Sequence, residues 1–176
     1  SSDLLTVTAR GLSSVLIRRA KPPFEDGLAL PGGFVLIDED LRDAAVRELR
    51  EETNIEVRAE ELIEIGAFGR PGRDPRMRVV SIAYAAIIPD LTKPRAGTDA
   101  RLAQLLTLHP EQPAHEYLNL AFDHDLILDA AVERLKRLIE ETPEAVRFCP
   151  PEFTMSELRT VYETVWGMQL DAVNFR

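Results

Sequence analysis

Residues 79–88, Val79 Val80 Ser81 Ile82 Ala83 Tyr84 Ala85 Ala86 Ile87 Ile88, form an apolar run without a single charge. The run is far shorter than the roughly 18 residues a membrane span requires. It also lacks the alternation of a strand with one wet face, so it reads as a central strand. Residues 4–8 and 13–19 are strand-like runs around Gly11, a hairpin pattern. Residues 28–30 make a short apolar strand stopped by Pro31, Gly32 and Gly33, and 34–37 resume it; 63–68 and 102–108 are further strands, the latter inside the weakly patterned, Pro-rich stretch 89–121. Two segments change to helical period. One runs from Asp40 to about Thr53. The other starts at Asp123 in the N-cap position and carries Ile127, Ala131, Leu135 and Leu138 on one stripe, ending near Glu141. Strands interleaved with helices predict an α/β layered fold, and 176 residues suffice for one main core with at most a small appended module.

Composition narrows the function classes. At 45% hydrophobic and 29% charged residues, with no run of membrane-spanning length, the chain is not an integral membrane protein. A lone cysteine, Cys149, excludes an internal disulfide framework and a multi-cysteine zinc site; the opening Ser1 Ser2 Asp3 shows no signal-peptide pattern, and a reducing cytoplasm is expected. The net charge of -9 argues against a surface uniformly attractive to nucleic acid or anionic lipid. The distribution is more informative. Residues 38–61 hold ten acids against four bases, whereas 70–78 hold Arg70, Arg73, Arg76 and Arg78 against Asp74 alone. One segment suits a cation and the other an anion.

On a wheel of about 100° per residue with Leu41 at zero, Ala45, Leu49 and Ala44 define the buried arc; Glu48 and Glu52 fall within it and Glu51 borders it. Three carboxylates are thus expected to face the body of the protein, where they need compensation, and hard divalent cations prefer oxygen ligands. The alternative is a solvated acidic face with Arg47 and Glu51 as an ordinary i,i+4 pair.

The wider pattern decides between them. Gly33, five residues, Glu39, seven residues, then Arg47 Glu48 Leu49 Arg50 Glu51 Glu52 Thr53 Asn54 Ile55 closely resembles the Nudix box. It departs at Asn54, where that family usually has Gly. The position follows the helix and is expected at φ > 0, which Asn tolerates next best. The resemblance implies the Nudix fold, a mixed sheet sandwiched between helices, with the box as a loop-helix-loop that binds Mg²⁺ or Mn²⁺. It further implies Glu48, Glu51 and Glu52 as metal ligands with the Gly33 carbonyl as another, Arg47 orienting the carboxylates and Glu39 bracing the loop. Such a centre neutralises a pyrophosphate and activates water for in-line displacement. Residues 28–33, 68–76, Ala121 Phe122 Asp123 His124 and the closing Asn174 Phe175 Arg176 are similar to one subgroup. It contains ADP-ribose pyrophosphatase-like enzymes and Nudix-related transcriptional regulators of NAD metabolism that carry a C-terminal winged helix.

Within that frame, Arg70, Arg73 and Arg76 are candidate contacts to a diphosphate or ribose phosphate, since guanidinium forks match phosphate oxygens. A solvated basic turn made by Pro71, Gly72 and Pro75 is the alternative, with Asp74 pairing a neighbour. His124 reads as a capping detail beside Asp123, a site role resting on the subgroup resemblance alone. His109 and His115 carry no signal, Cys149 is expected to pack in the linker and Trp166 in the core of the small C-terminal module, and Phe24 either stacks on a base or is an ordinary loop aromatic.

Past Pro150 and Pro151 a second unit begins. Thr154 and Glu157 have capping-box spacing, Phe153 and Leu158 the staple positions, Gly167 is a natural stop and Asp171 can cap another helix. The expected division is a Nudix domain over 1–142 and a partial winged-helix (helix-turn-helix) module over 143–176. That module holds five acids (Glu144, Glu152, Glu157, Glu163, Asp171) against Arg147, Arg159 and Arg176. DNA binding is therefore expected only of a longer chain. The favoured reading is a metal-dependent pyrophosphohydrolase, a homodimer acting on ADP-ribose or a related nucleoside diphosphate derivative. The other reading is an ADP-ribose-sensing transcriptional regulator of NAD metabolism.

Overall fold

A computed structural model describes residues 2–8, 11–88, 91, 100–173 and 175. Strand β1 (Ser2–Thr8) pairs antiparallel with β2 (Gly11–Arg19), closing the expected hairpin with Thr8 opposite Gly11. Strand β2 is the hub of the sheet. One of its edges is shared by β1 at residues 11–14 and by the two-residue β3 (Leu28–Ala29) at Ile17 and Arg18. Its other edge carries β6 (Ala100–Thr107). Beyond β1 lies β5 (Ser81–Ile87), paired parallel to it, and then β4 (Ile63–Phe68), antiparallel to β5. The sheet is mixed, in the order β3-β2-β1-β5-β4 with β6 on β2.

Strand β5 is buried on both sides, as its composition predicts. Ala83, Ala85 and Ile87 join one core cluster, and Tyr84 and Ala86 join another. Alternation in β2 does the same: Leu12 and Leu16 face one layer, Val15 the other. Helix α1 (Leu41–Thr53) covers the Tyr84 face with Ala45 and Leu49. After the short α2 (Ala114–Tyr117), helix α3 (His124–Glu141) covers the opposite face with Ile127, Leu128, Ala131 and Leu135. The chain is thus an α/β sandwich of a mixed sheet between helices.

Three expectations change. Residues 34–37 are not strand but an exposed loop, with Ile37 98% exposed. Their backbone groups are used elsewhere: the Phe34 carbonyl accepts from Arg47, and the Leu36 N–H donates to Glu39. Helix α4 (Met155–Trp166) forms with the expected capping box and the Gly167 stop at φ 68°, yet it sends Val161 and Val165 into the same core as α3. The second helix expected from Asp171 does not form among the described residues. Asp171 does adopt helix-start geometry, its carboxylate accepting from the Val173 N–H and its carbonyl from Phe175. Of 89–121, residues 89–90 and 92–99 lie outside the described residues, as do 174 and 176 near the chain end. No helix among the described residues is long and apolar enough to cross a membrane.

Candidate active site

Helix α1 is fixed at both ends. The Asp40 carboxylate accepts from the Arg42 N–H at 3.0 Å, and Asn54 closes the helix in the left-handed conformation at φ 56°, as expected for the position usually held by Gly. Leu49 anchors the buried face, and Glu48 beside it and Glu52 one turn on are set against the loop that follows β3. Glu52 is buried and accepts the Gly32 N–H at 2.8 Å. Glu48 is half-buried with its carboxylate against Gly33, where any Cβ would collide with it. Two carboxylates therefore converge on the turn of Gly32 and Gly33. Glu51 does not join them: it is exposed at the rim, because the buried arc centres on Ala45 and Leu49 rather than on Leu41, itself 44% exposed.

Arg47 ties this cluster together. Its Nε and Nη2 donate to both oxygens of Glu39 at 2.7 and 2.8 Å, and its Nη1 donates to Glu48 at 2.6 Å and to Glu51 at 3.3 Å. The hydrogen bond to Glu39, then that to Glu48, holds the guanidinium pKa above its ordinary value, and the same bond holds the Glu39 carboxyl below the usual carboxylate range. The i,i+4 pair and the inward carboxylates thus coexist. Among the described residues no three His, Cys, Asp or Glu side chains converge as a complete ion cage. The donor chemistry of Glu48, Glu52 and the Gly33 backbone is nonetheless that of a hard cation, and the absence of a Cβ at Gly33 keeps backbone and carboxylate adjacent.

The arginine loop divides by role. Arg73 is buried and donates through Nε and Nη2 to the two oxygens of Asp123 at 2.9 and 2.5 Å, and through Nη1 to Ser81 Oγ. Asp123 stands at the N-cap position of α3 but makes no side-chain cap; its carboxylate serves Arg73 instead. Arg76 is bound in bidentate fashion by Asp74, whose carboxyl lies below its usual range chiefly through that bond. Asp74 does pair with a neighbour. Arg70 is exposed and lies outside the cavity lining.

His124 is more than a capping detail. It is buried, and its Nδ1 accepts the Leu30 N–H at 2.9 Å, which leaves Nε2 as the protonated nitrogen of the neutral ring. Burial first, with the charges of Arg73 and Arg19 adding to it, lowers its pKa to about 3. Cys149 and Trp166 do not pack in a linker and a separate small core: because α4 lies on the main core, Cys149 is buried in that core and Trp166 packs against it, while His115 pairs with Asp129 away from this cavity.

A cavity of about 370 Å³ joins these groups, its lining including Gly33, Glu48, Arg73, Arg76, Phe122 and His124. Sequence reasoning missed Arg19 and Phe34, which also line it, and met Phe122, a third lining residue, only within the segment 121–124 that resembles the subgroup. The Arg19 guanidinium lies 4.7 Å from the centroid of the Phe122 ring, and Arg76 lies 5.6 Å from the same centroid. Phe24 packs edge-on against Phe122. No spacing rule connects residues so far apart; for Arg19 the signal was a pair of cations, Arg18 and Arg19, closing an apolar strand.

Several known proteins are similar to this chain in sequence and fold. Residues 145–176 match the NrtR DNA-binding winged helix domain. The chain is 33% identical over 175 residues to the ADPR responsive transcriptional repressor NtrR of Acinetobacter baylyi, covering 98% of this chain and 68% of that protein. It is 38% identical over 116 residues to the ADP-ribose pyrophosphatase of Methanocaldococcus jannaschii, covering 65% of this chain and 62% of that one. A MutT/nudix family protein from Enterococcus faecalis superposes with a TM-score of 0.90 at 31% identity, over 99% of this chain and 76% of its own. The NUDIX domain model matches residues 4–129, and with the box at 33–55 in its loop-helix-loop setting, the chain belongs to the Nudix family.

Proposed function

We propose that this chain is a divalent-metal-dependent pyrophosphohydrolase that splits ADP-ribose or a related nucleoside diphosphate derivative into AMP and a sugar phosphate. One observation carries the reading: Glu48 and Glu52 meet at the turn of Gly32 and Gly33, beside a cavity that Arg76 also lines. Oxygen donors for a hard cation and a guanidinium for phosphate oxygens share one space. Glu48 and Glu52, the Gly33 carbonyl and Glu51 from the rim would hold Mg²⁺ or Mn²⁺. When bound, such an ion neutralises a diphosphate and lowers the pKa of its water. Arg47, fixed by Glu39, orients Glu48. Arg76 takes a phosphate oxygen, Arg73 holds its loop in place, and Arg70 meets a ligand only from outside the cavity. The substrate class is supported by two relatives, one named for hydrolysing ADP-ribose and one for responding to it.

A second reading, an ADP-ribose sensor that regulates transcription of NAD metabolism, is favoured by the winged-helix match at 145–176 and by a repressor aligned along 98% of the chain. We place either activity in a homodimer in the reducing cytoplasm. The apolar rim of Phe34, Val35, Leu36 and Ile37 and the buried free thiol of Cys149 support that setting. The test is a Mg²⁺-dependent hydrolysis screen of ADP-ribose, NADH, dinucleoside polyphosphates and oxidised dNTPs, with calorimetric binding of the same compounds. AMP release supports the enzyme. Binding without turnover moves the sensor ahead, and neither would reject the assignment of the cavity.

A further inference from the structure

We infer that Arg19, at the end of strand β2, is a second anion-binding arm of the cavity and contacts the diphosphate of the bound nucleotide together with Arg76. The inference rests on the nucleotide reading above and adds a residue from outside the arginine loop and outside the box.

Arg19 is held in place by its backbone and its side chain. Its N–H donates to the Gly27 carbonyl and its carbonyl accepts from Asp26, closing the loop of residues 20–26. The register of β2 against β6 shifts between Arg18 and Arg19, and such irregularities re-aim side chains. The guanidinium then donates through Nε to the Pro23 carbonyl at 2.8 Å and through Nη2 to Lys21, and it rests over the Phe122 ring. Phe24 and Phe122, which pack against each other here, both have φ near 60°, a conformation that costs a non-glycine residue energy and that clusters at ligand sites.

Two cations approach one aromatic ring, since Arg76 lies over the Phe122 ring as well. Among the described residues neither Nη1 makes a hydrogen bond, because Asp74 takes Nε and Nη2 of Arg76 and two backbone carbonyls take those of Arg19. Burial, and next the charge of Arg76, disfavour the cationic form of Arg19; Glu52 and Asp74 oppose them. Arg19 therefore feels the carboxylate end of the cavity through Glu52 and the basic end through Arg76. A diphosphate spanning those ends would meet its remaining donors and relieve the repulsion between the two guanidinium groups.

The test measures the Kd of ADP-ribose, ADP and AMP for the full chain and for Arg19→Gln and Arg19→Lys, each checked for folding by thermal melting. Arg19→Gln should weaken ADP-ribose and ADP by about tenfold or more, the loss of one charge-assisted contact, and AMP distinctly less. Arg19→Lys should fall between, since it keeps charge but not the fork. Unchanged ADP-ribose affinity in a folded Arg19→Gln chain would overturn the inference alone. An equal loss for all three ligands would also overturn it, by making Arg19 a support of its loop. If the unaltered chain bound neither ADP-ribose nor ADP, the nucleotide reading would fall first.

Discussion

Asp123 shows how a residue's sequence position and its role can part. It occupies the N-cap site of α3, but its carboxylate is spent on Arg73, with side chains only 10% and 4% exposed. Removing one partner of a buried pair strands the other charge. Asp123→Asn should therefore lower stability in urea by about 3 kcal/mol, while replacing both residues by apolar ones should cost less than the two single changes summed. His124 carries a pH signature. Its folded pKa of about 3 lies below the ordinary 6.5, so the unfolded chain binds the extra proton between those values. Its contribution is complete above pH 6.5 and is lost progressively as pH falls toward 3. Urea midpoints for His124→Asn should decline more shallowly over that window than those of the unaltered chain. The box residues were legible because their chemistry is local, within one loop and one helix. Arg73 with Asp123, and Arg19 with Phe122, were not, since tertiary pairing leaves no periodic trace.

Elements were legible where period and caps agreed. Helices α1, α3 and α4 and strand β5 lie where their patterns put them. Residues 34–37 failed because four apolar residues carry no information about backbone partners, and here Arg47 and Glu39 claim the Phe34 carbonyl and the Leu36 N–H. The inward arc of α1 was right for Glu48 and Glu52 but too wide for Glu51, since the wheel was centred on Leu41, whose side chain lies beyond the buried turns. Helix α4 depends on its capping box: Thr154 Oγ accepts from the Glu157 N–H at 3.2 Å, and Glu157 accepts from the Thr154 N–H at 2.6 Å. Thr154→Ala should cost about 1 kcal/mol, measured by thermal or urea unfolding, and because Val161 and Val165 belong to the main core the loss should appear in the global transition. A separate early transition for α4 would contradict that packing.

At the scale of the molecule, charge separates the two functional readings. The segment 143–176 carries five acids against three bases, so this chain should give no sequence-specific DNA shift at moderate salt. Nanomolar specific binding by the 176-residue chain itself would favour the regulator. Metal-dependent hydrolysis depends on the carboxylate helix, and Glu52 is its sharpest probe. In Glu52→Gln the amide oxygen can still accept the Gly32 N–H, so the turn survives while the charge offered to a cation is lost. Mg²⁺-dependent AMP release from ADP-ribose should be measured for both chains at equal thermal stability. Turnover is expected from the unaltered chain, with a loss on the order of a hundredfold in Glu52→Gln. Equal turnover by the two, with equal metal dependence, would contradict it.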